Sequence, residues 1–265
     1  MQFPEDSSSI IKRLAVKQLE VPYSIKKIAY GTDMDLPAIT LQRAIINLRG
    51  MLVEAIPVYE FSLLQTPYVD IKDIAIFVQD ETEAKETLDS AWAMNVNGVL
   101  YTCNNNIKGK GNIKDIHLST DPLCQVNLAL SLVYSVAKFT VNPRAERLVR
   151  ELEDLSDLPS WLEDKVKGLE ELKEFNKIII SPVFYPSKNF LRKFLDMPVE
   201  AYNEFLPDDS IVIYNSADYI YGRKALFLLK TKGKKVKEFI LDTDPLLSPI
   251  YLVLLAYFFK SKKEI

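Results

Sequence analysis

The residues able to do acid–base or nucleophilic chemistry are few and scattered along this chain. It has one histidine, His117, and two cysteines, Cys103 and Cys124. No nucleophile stands near His117 in sequence, so it reads as a strand-end or loop residue rather than a base. One histidine and two separated cysteines make a metal site only with several carboxylates, so metal catalysis is set aside and no cofactor is expected. What remains is acidic. "VQDETEAKETL" places Asp80, Glu81 and Glu83 around Thr82, and "VEAY" carries Glu200. Glu81, Glu83 and Glu200 are of the type that serves as general base, provided the proton to be taken lies within hydrogen-bond reach. Asp, Glu and Thr at a helix front also complement the helix dipole, so Glu81 and Glu83 have a purely structural reading too. Lys188, Arg192 and Lys193, in "SKNFLRKFL", are candidate anion partners or a solvated helix face.

The totals narrow the class. A hydrophobic share of 48% with 26% charged residues is a soluble globular composition, and 265 residues hold one large domain or two ordinary ones. The net charge of -3 gives no reason to expect nucleic acid, and the one basic run, "KTKGKKVK", reads as a solvated helix end. The most apolar stretch, "LLSPIYLVLLAYFF", contains Ser248 and Pro249 and falls short of the ~18–20 residues needed to span a bilayer. It is expected to be a buried core helix, not a membrane span. Sparse cysteines and the absence of a secretory leader in "MQFPEDSSSIIKRL" point to a reducing cytosol.

The elements that must position the acidic residues follow from periodicity. "SSSIIKRLAVKQLE" has serines suited to N-capping, then helical spacing at Ile10, Leu14, Ala15 and Leu19. "PAITLQRAIINLRGMLVEA" predicts a second helix opened by Pro37, and "IPVYEF" a short strand. "DIAIFVQ" and "GVLYTC" are continuous apolar runs, the pattern of strands covered on both faces, with the helix "ETEAKETLDSAWAM" between them. "DIHLS" is a weaker strand, followed by an apolar helix to about Phe139. From Asn142 a charged helical stretch runs to about residue 175, broken at Leu158-Pro159. "NKIIIS", "SKNFLRKFL", "VEAY", "SIVIYN", "YGRKALFLLKTKG" and "VKEFIL" then read strand, helix, strand, strand, helix, strand.

Alternation of this kind predicts parallel sheets with helices on both faces. TDPL occurs twice, at Thr120 and Thr243, each time between the last strand of a unit and a long apolar helix. The expected architecture is two flavodoxin-like three-layer α/β subdomains related by duplication and joined by helices. The expected boundaries are residues 1–141, a helical connector over 142–175, and 176–265.

Several motifs carry a resemblance. "DTDPLLSPIYLVLLAY" resembles the closing helix of the double sugar isomerase (SIS) family, as found in the isomerase half of glucosamine–fructose-6-phosphate aminotransferases. "LEVPYSI" is similar to that family's opening E-x-P helix at Glu20 and Pro22, "IPVYEF" to its I-P-V strand, "LST" to its A-S-T, and "VEAY" to its A-E-A-Y. The resemblance implies a homodimer with a sugar-phosphate site. It implies a phosphate loop at a helix N-terminus, where amides and the dipole favour an anion. It also implies a glutamate that moves a proton between adjacent sugar carbons. On this chain it points to Gln79, Thr82, Ser119, Thr120, Arg192 and Lys193 for substrate binding; the family's glutamate position falls near Lys193, so Glu81 and Glu200 are candidate catalytic carboxylates by residue type alone. The departures are specific. Where relatives read S-x-S-G-E-T, this chain has "VQDETEAKETL", with Asp80 in a serine's place. A carboxylate there supplies no donors to a phosphate. "NEFLPDDS" lacks the family's ring-opening histidine, and no lysine-bearing tail follows "KSKKEI". The alternatives to an isomerase are a non-catalytic sugar-phosphate sensor and a structural or regulatory homodimer.

Overall fold

The computed structural model describes residues 6–69, 71–118, 121 and 123–263. It divides into two compact units: Leu14–Asp154, and the stretch from Leu155 onward together with the segment ending at Arg13. The division therefore falls inside the charged helical stretch, whose first helix goes with one unit and whose second goes with the other.

In the first unit, β1 (Lys27–Tyr30), α2 (Asp35–Ala44), β2 (Glu54–Pro57), β3 (Asp73–Phe77), α3 (Glu81–Ala93), β4 (Asn97–Thr102), β5 (Ile113–His117), α4 (Cys124–Lys138) and α5 (Pro143–Glu153) follow in order; α1 (Ser7–Lys12) belongs to the other unit. The five strands are all parallel, in the order β2-β1-β3-β4-β5. Such strands are covered on both faces, and Ile74, Ala75, Ile76 and Phe77 of β3 are all buried. The second unit holds α6 (Leu158–Lys165), β6 (Lys177–Ile180), α7 (Lys188–Leu195), β7 (Val199–Ala201), β8 (Ser210–Tyr214), α8 (Tyr219–Thr231), β9 (Val236–Ile240) and α9 (Ser248–Lys263). Its four parallel strands run β7-β6-β8-β9, the same winding one strand shorter.

The duplication expected from TDPL extends to hydrogen bonds. Asp121 Oδ1 accepts from Leu123 N and Asp121 O from Cys124 N (2.7 and 2.8 Å). Asp244 Oδ1 accepts from Leu246 N and Asp244 O from Leu247 N (2.9 and 2.8 Å). In each unit the aspartate thus satisfies the amides that open the closing helix. Thr120 and Pro122 lie outside the described residues. Both helices are core: Val126 to Val133 of α4 and Ile250 to Ala256 of α9 are buried throughout. No helix among the described residues is long and apolar enough to cross a membrane.

Four expectations need correction. The first helix is only Ser7–Lys12, and Asp6, not a serine, caps it by accepting from Ser9 N at 2.6 Å. Beyond it the backbone is extended, and its amides are taken by side chains of α4. Ala15 N, Lys17 N and Leu19 N donate to Asn127 Oδ1, Ser131 Oγ and Ser135 Oγ at 2.9, 3.0 and 2.7 Å. Two extended residues advance about 6.6 Å and four helical residues about 6 Å, so alternate amides meet every fourth side chain. Periodicity at Leu14, Ala15 and Leu19 cannot reveal an acceptor more than a hundred residues away. For the same reason Glu20 and Pro22 sit in a non-helical segment rather than an opening helix. Second, the helix begun by α2 continues as a π-helical turn, Ile45–Arg49, and stops at Gly50 with φ = 66°, short of residue 55. Third, "IPVYEF" is strand only through Pro57, and Glu60–Gln65 is π-helical. Fourth, the reducing compartment expected from sparse cysteines has to accommodate a disulfide, because Cys103 and Cys124 are joined with their Cα atoms 6.0 Å apart.

Asn127, Ser131 and Ser135 are buried, so removing one leaves a backbone amide without its side-chain acceptor. Ser131→Ala is expected to cost about 1–3 kcal/mol, read as a lower urea midpoint with unchanged m-value. An exposed control such as Ser160→Ala should leave the midpoint in place.

Candidate functional site

In a sheet of order 2-1-3-4-5 the chain leaves β1 and β3 toward opposite faces, which opens a crevice at their carboxyl ends. A cleft of about 570 Å³ lies there, lined by Thr32, Asp33, Gln79, Asp80, Glu83, Cys103 and Asn104. Thr32 and Asp33 follow β1, Gln79 to Glu83 follow β3 and open α3, and Cys103 and Asn104 follow β4.

The backbone donors of this crevice are already engaged by the chain's own carboxylates. Asp80, the N-cap of α3, accepts from Thr82 N and Glu83 N through Oδ1, each at 2.9 Å. Glu83 reaches back across the crevice and accepts from Thr32 N at 2.9 Å and from Thr32 Oγ1 at 2.5 Å. Gly31 makes that reach possible, since a Cβ there would collide with Glu83 Oε2. Burial, with Asp35, Tyr59 and Glu60 nearby, pushes the Tyr30 phenol above its ordinary range.

Polar capacity left for a ligand is of mixed type. Asp80 Oδ2 is an acceptor with no partner among the described residues. Gln79 accepts from Asn104 Nδ2 through its carbonyl at 3.1 Å and from Gln125 Nε2 through Oε1 at 3.5 Å, which leaves its own amide N–H groups. Asn104 Oδ1 is taken by Asn106 N, and Asn106 Nδ2 donates to Glu81 Oε1 at 3.0 Å. Adjacent donors and acceptors of this kind suit the hydroxyl and amine groups of a carbohydrate.

The second sheet repeats the device. Asp218 Oδ2, after β8, accepts from Val183 N, in the segment after β6, at 2.8 Å, while its Oδ1 accepts from Asn215 N at 3.1 Å. Asn215 caps the same turn by accepting from Ala217 N, and its Nδ2 holds Leu241 O, Thr243 O and Ser248 Oγ. In both units a carboxylate from the third strand's loop therefore spans to an amide of the first strand's loop.

The residues expected from the sequence are dispersed. Gln79 lines the cleft, and Thr82 contributes its amide to the Asp80 cap. Glu81 faces Asn106. Ser119 and Thr120 lie outside the described residues. Arg192 and Lys193 are exposed in the last turn of α7, in the other unit, and Lys188 pairs with Glu204 at 3.0 Å. Glu200 is held by Lys177 Nζ at 3.0 and 2.9 Å, and Leu206 O completes the buried ammonium's partners at 3.0 Å. Lys177 opens β6, so this ion pair sits at the amino end of the sheet, away from the edge where ligands gather. His117 ends β5 and bonds Asp115 at 2.6 Å. No group of three or more potential metal ligands occurs among the described residues. Sequence reasoning missed Asn104 as a cleft residue because nothing local marks it. It did see that an acidic residue occupies the expected anion seat.

The fold is that of the phosphosugar isomerases, two parallel-sheet α/β subdomains of the SIS type. The glucosamine-6-phosphate deaminase of Thermotoga maritima superposes with a TM-score of 0.66 at 13% identity, over 90% of this chain and 86% of that one. The tagatose-6-phosphate ketose/aldose isomerase of Escherichia coli gives 0.61 at 13%, over 91% and 83%. The C-terminal domain of the Francisella tularensis glucosamine-fructose-6-phosphate aminotransferase gives 0.58 at 14%, over 96% and 91%. No protein-family model and no curated protein matches the sequence.

Two substitutions test the closed crevice. Asp80→Ala should cost about 1 kcal/mol by removing the cap of α3. Gly31→Ala should expel the Glu83 carboxylate and cost about 1.5–3 kcal/mol, the worth of hydrogen bonds to a charged group. Because Glu83 then has no partner left to lose, adding Glu83→Gln to Gly31→Ala should produce almost no further loss in a double-mutant cycle of denaturation midpoints.

Proposed function

We propose that this chain binds a sugar phosphate or amino-sugar phosphate of the aldose–ketose isomerase lineage, with the sugar's hydroxyl or amine groups in the 14–154 cleft. The observation that carries the reading is the cleft itself. It lies at the switch point of a phosphosugar-isomerase fold and is lined by Gln79, Asp80, Asn104 and Thr32, a set of donors and acceptors without a cation. The ligand's phosphate does not sit on the amides of α3, because Asp80 and Glu83 already hold them. Ser119 and Thr120 are its proposed partners, and a homodimer in the cytoplasm goes with the same reading.

Turnover by the family route is not part of the proposal. Glu200 is paired with the Lys177 ammonium and Glu81 accepts from Asn106, and neither lines the 14–154 cleft.

A thermal-shift panel of glucosamine-6-phosphate, fructose-6-phosphate, glucosamine and inorganic phosphate tests it. A specific sugar phosphate at a hundred times its Kd stabilises by about 2.7 kcal/mol and raises Tm accordingly. Gln79→Ala should weaken that ligand about tenfold, the loss of one good hydrogen bond. Inorganic phosphate alone should leave Tm unchanged. A flat response to both sugar phosphates contradicts the proposal, as does an equal shift with phosphate alone.

A further inference from the structure

The disulfide joins the wall of the cleft to the hydrophobic core. Cys103 is the first residue beyond β4, lines the cleft and is half-buried, whereas Cys124 is the first residue of α4 and only 2% exposed. Both sequence neighbours of the bond grip Gln79: Asn104 Nδ2 donates to its carbonyl and Gln125 Nε2 to its side chain. The two sulfurs are therefore unequal in access and in electrostatic setting, and the bond is coupled to a residue of the candidate site.

We propose that Cys103 is a thiol-exchange site, attacked from the cleft by a small-molecule thiol of the glutathione class, with Cys124 as the leaving and resolving thiolate. The attacking thiolate's electron pair forms a new S–S bond to Cys103 Sγ, and the pair of the old bond departs on Cys124 Sγ. A second thiolate then attacks the small-molecule sulfur of the adduct and releases Cys103 as a thiolate. The two cysteines are reduced, and the two small thiols leave as one disulfide. Direction follows from access and from leaving-group stability. Exchange is faster at the reachable sulfur and when the departing thiolate is the better stabilised one. Cys124 departs at the amino end of a fifteen-residue helix, where the dipole favours negative charge. Asp121, which accepts from Leu123 N in the same turn, offsets part of that effect without exposing Cys124. The adduct places the thiol's substituent inside the cleft, so thiol and carbohydrate exclude one another there. In a thiol-rich compartment the bond is then reversible, which reconciles a disulfide with the cytosolic expectation.

The exchange itself does not depend on any sugar being bound, so its test is separate from the ligand panel. The native full chain is incubated with reduced glutathione, quenched in acid, and mapped by peptide mass spectrometry, and Cys124→Ser is treated with oxidised glutathione in parallel. The expected result is a mixed disulfide on Cys103 in both, and no adduct on Cys124 in Cys103→Ser under native conditions. On reduction of the wild-type chain, hydrogen exchange of the Asn104 and Asn106 amides should rise about tenfold as the tether to α4 is released. Since the first and last measurements use the wild-type chain, they stand even if a variant fails to fold. Adducts on Cys124, a bond that resists thiol until the protein unfolds, or unchanged exchange at Asn104 and Asn106 would overturn the proposal.

Discussion

A backbone amide at the mouth of a parallel sheet has to find an acceptor, and here the acceptor is a carboxylate of the same chain. Where neighbouring strands send their connections to opposite faces, the first amides beyond them have no ladder partner. A bound anion can satisfy them, or a side chain can. Glu83 does so for Thr32 and Asp218 for Val183, one in each sheet. Hydrogen bonds to a charged group contribute about 1.5–3 kcal/mol net. A phosphate entering the first crevice would forfeit them and also meet Asp80 and Glu83. Two like charges about 4 Å apart repel by about 1 kcal/mol in water and about 4 kcal/mol near a protein surface. That balance disfavours a phosphate on these amides.

Other features fall into place around this constraint. Gly31 leaves space for the Glu83 carboxylate. Asp80 holds α3 in the register from which Glu83 can cross. Asn127, Ser131 and Ser135 pin the extended segment 15–19 against α4, and Tyr101, stacked on Phe77 at 4.8 Å, donates to Glu20 O just beyond that segment. At the opposite end of the other sheet, Lys177 and Glu200 satisfy one another. That pair holds Glu200, one of the three glutamates that the sequence offers as candidate bases.

Most of the architecture was legible because buried parallel strands and capped apolar helices leave strong local signals. "DIAIFVQ", "SIVIYN" and both TDPL helices are of that kind, and each forms where periodicity places it. The interior strand Lys27–Tyr30 was not read, since four residues that open on a lysine and follow another carry no recognisable period. The extended segment 15–19 was misread as helix because its partners lie on α4. The same split governs the site. Asp80 announced itself by standing where relatives have a serine. The Glu83–Thr32 bond spans 51 residues and the Cys103–Cys124 bond 21, and neither separation is encoded locally.

The claim that the chain fills its own anion seat is most directly tested at the amides themselves. Inorganic phosphate is titrated into the isotope-labelled protein near pH 7, and the amide resonances of Thr32, Thr82 and Glu83 are followed by NMR. The account predicts that they stay in place to millimolar phosphate beyond a uniform ionic-strength drift. Saturable shifts confined to those three amides would show that phosphate displaces the carboxylates, and would contradict it.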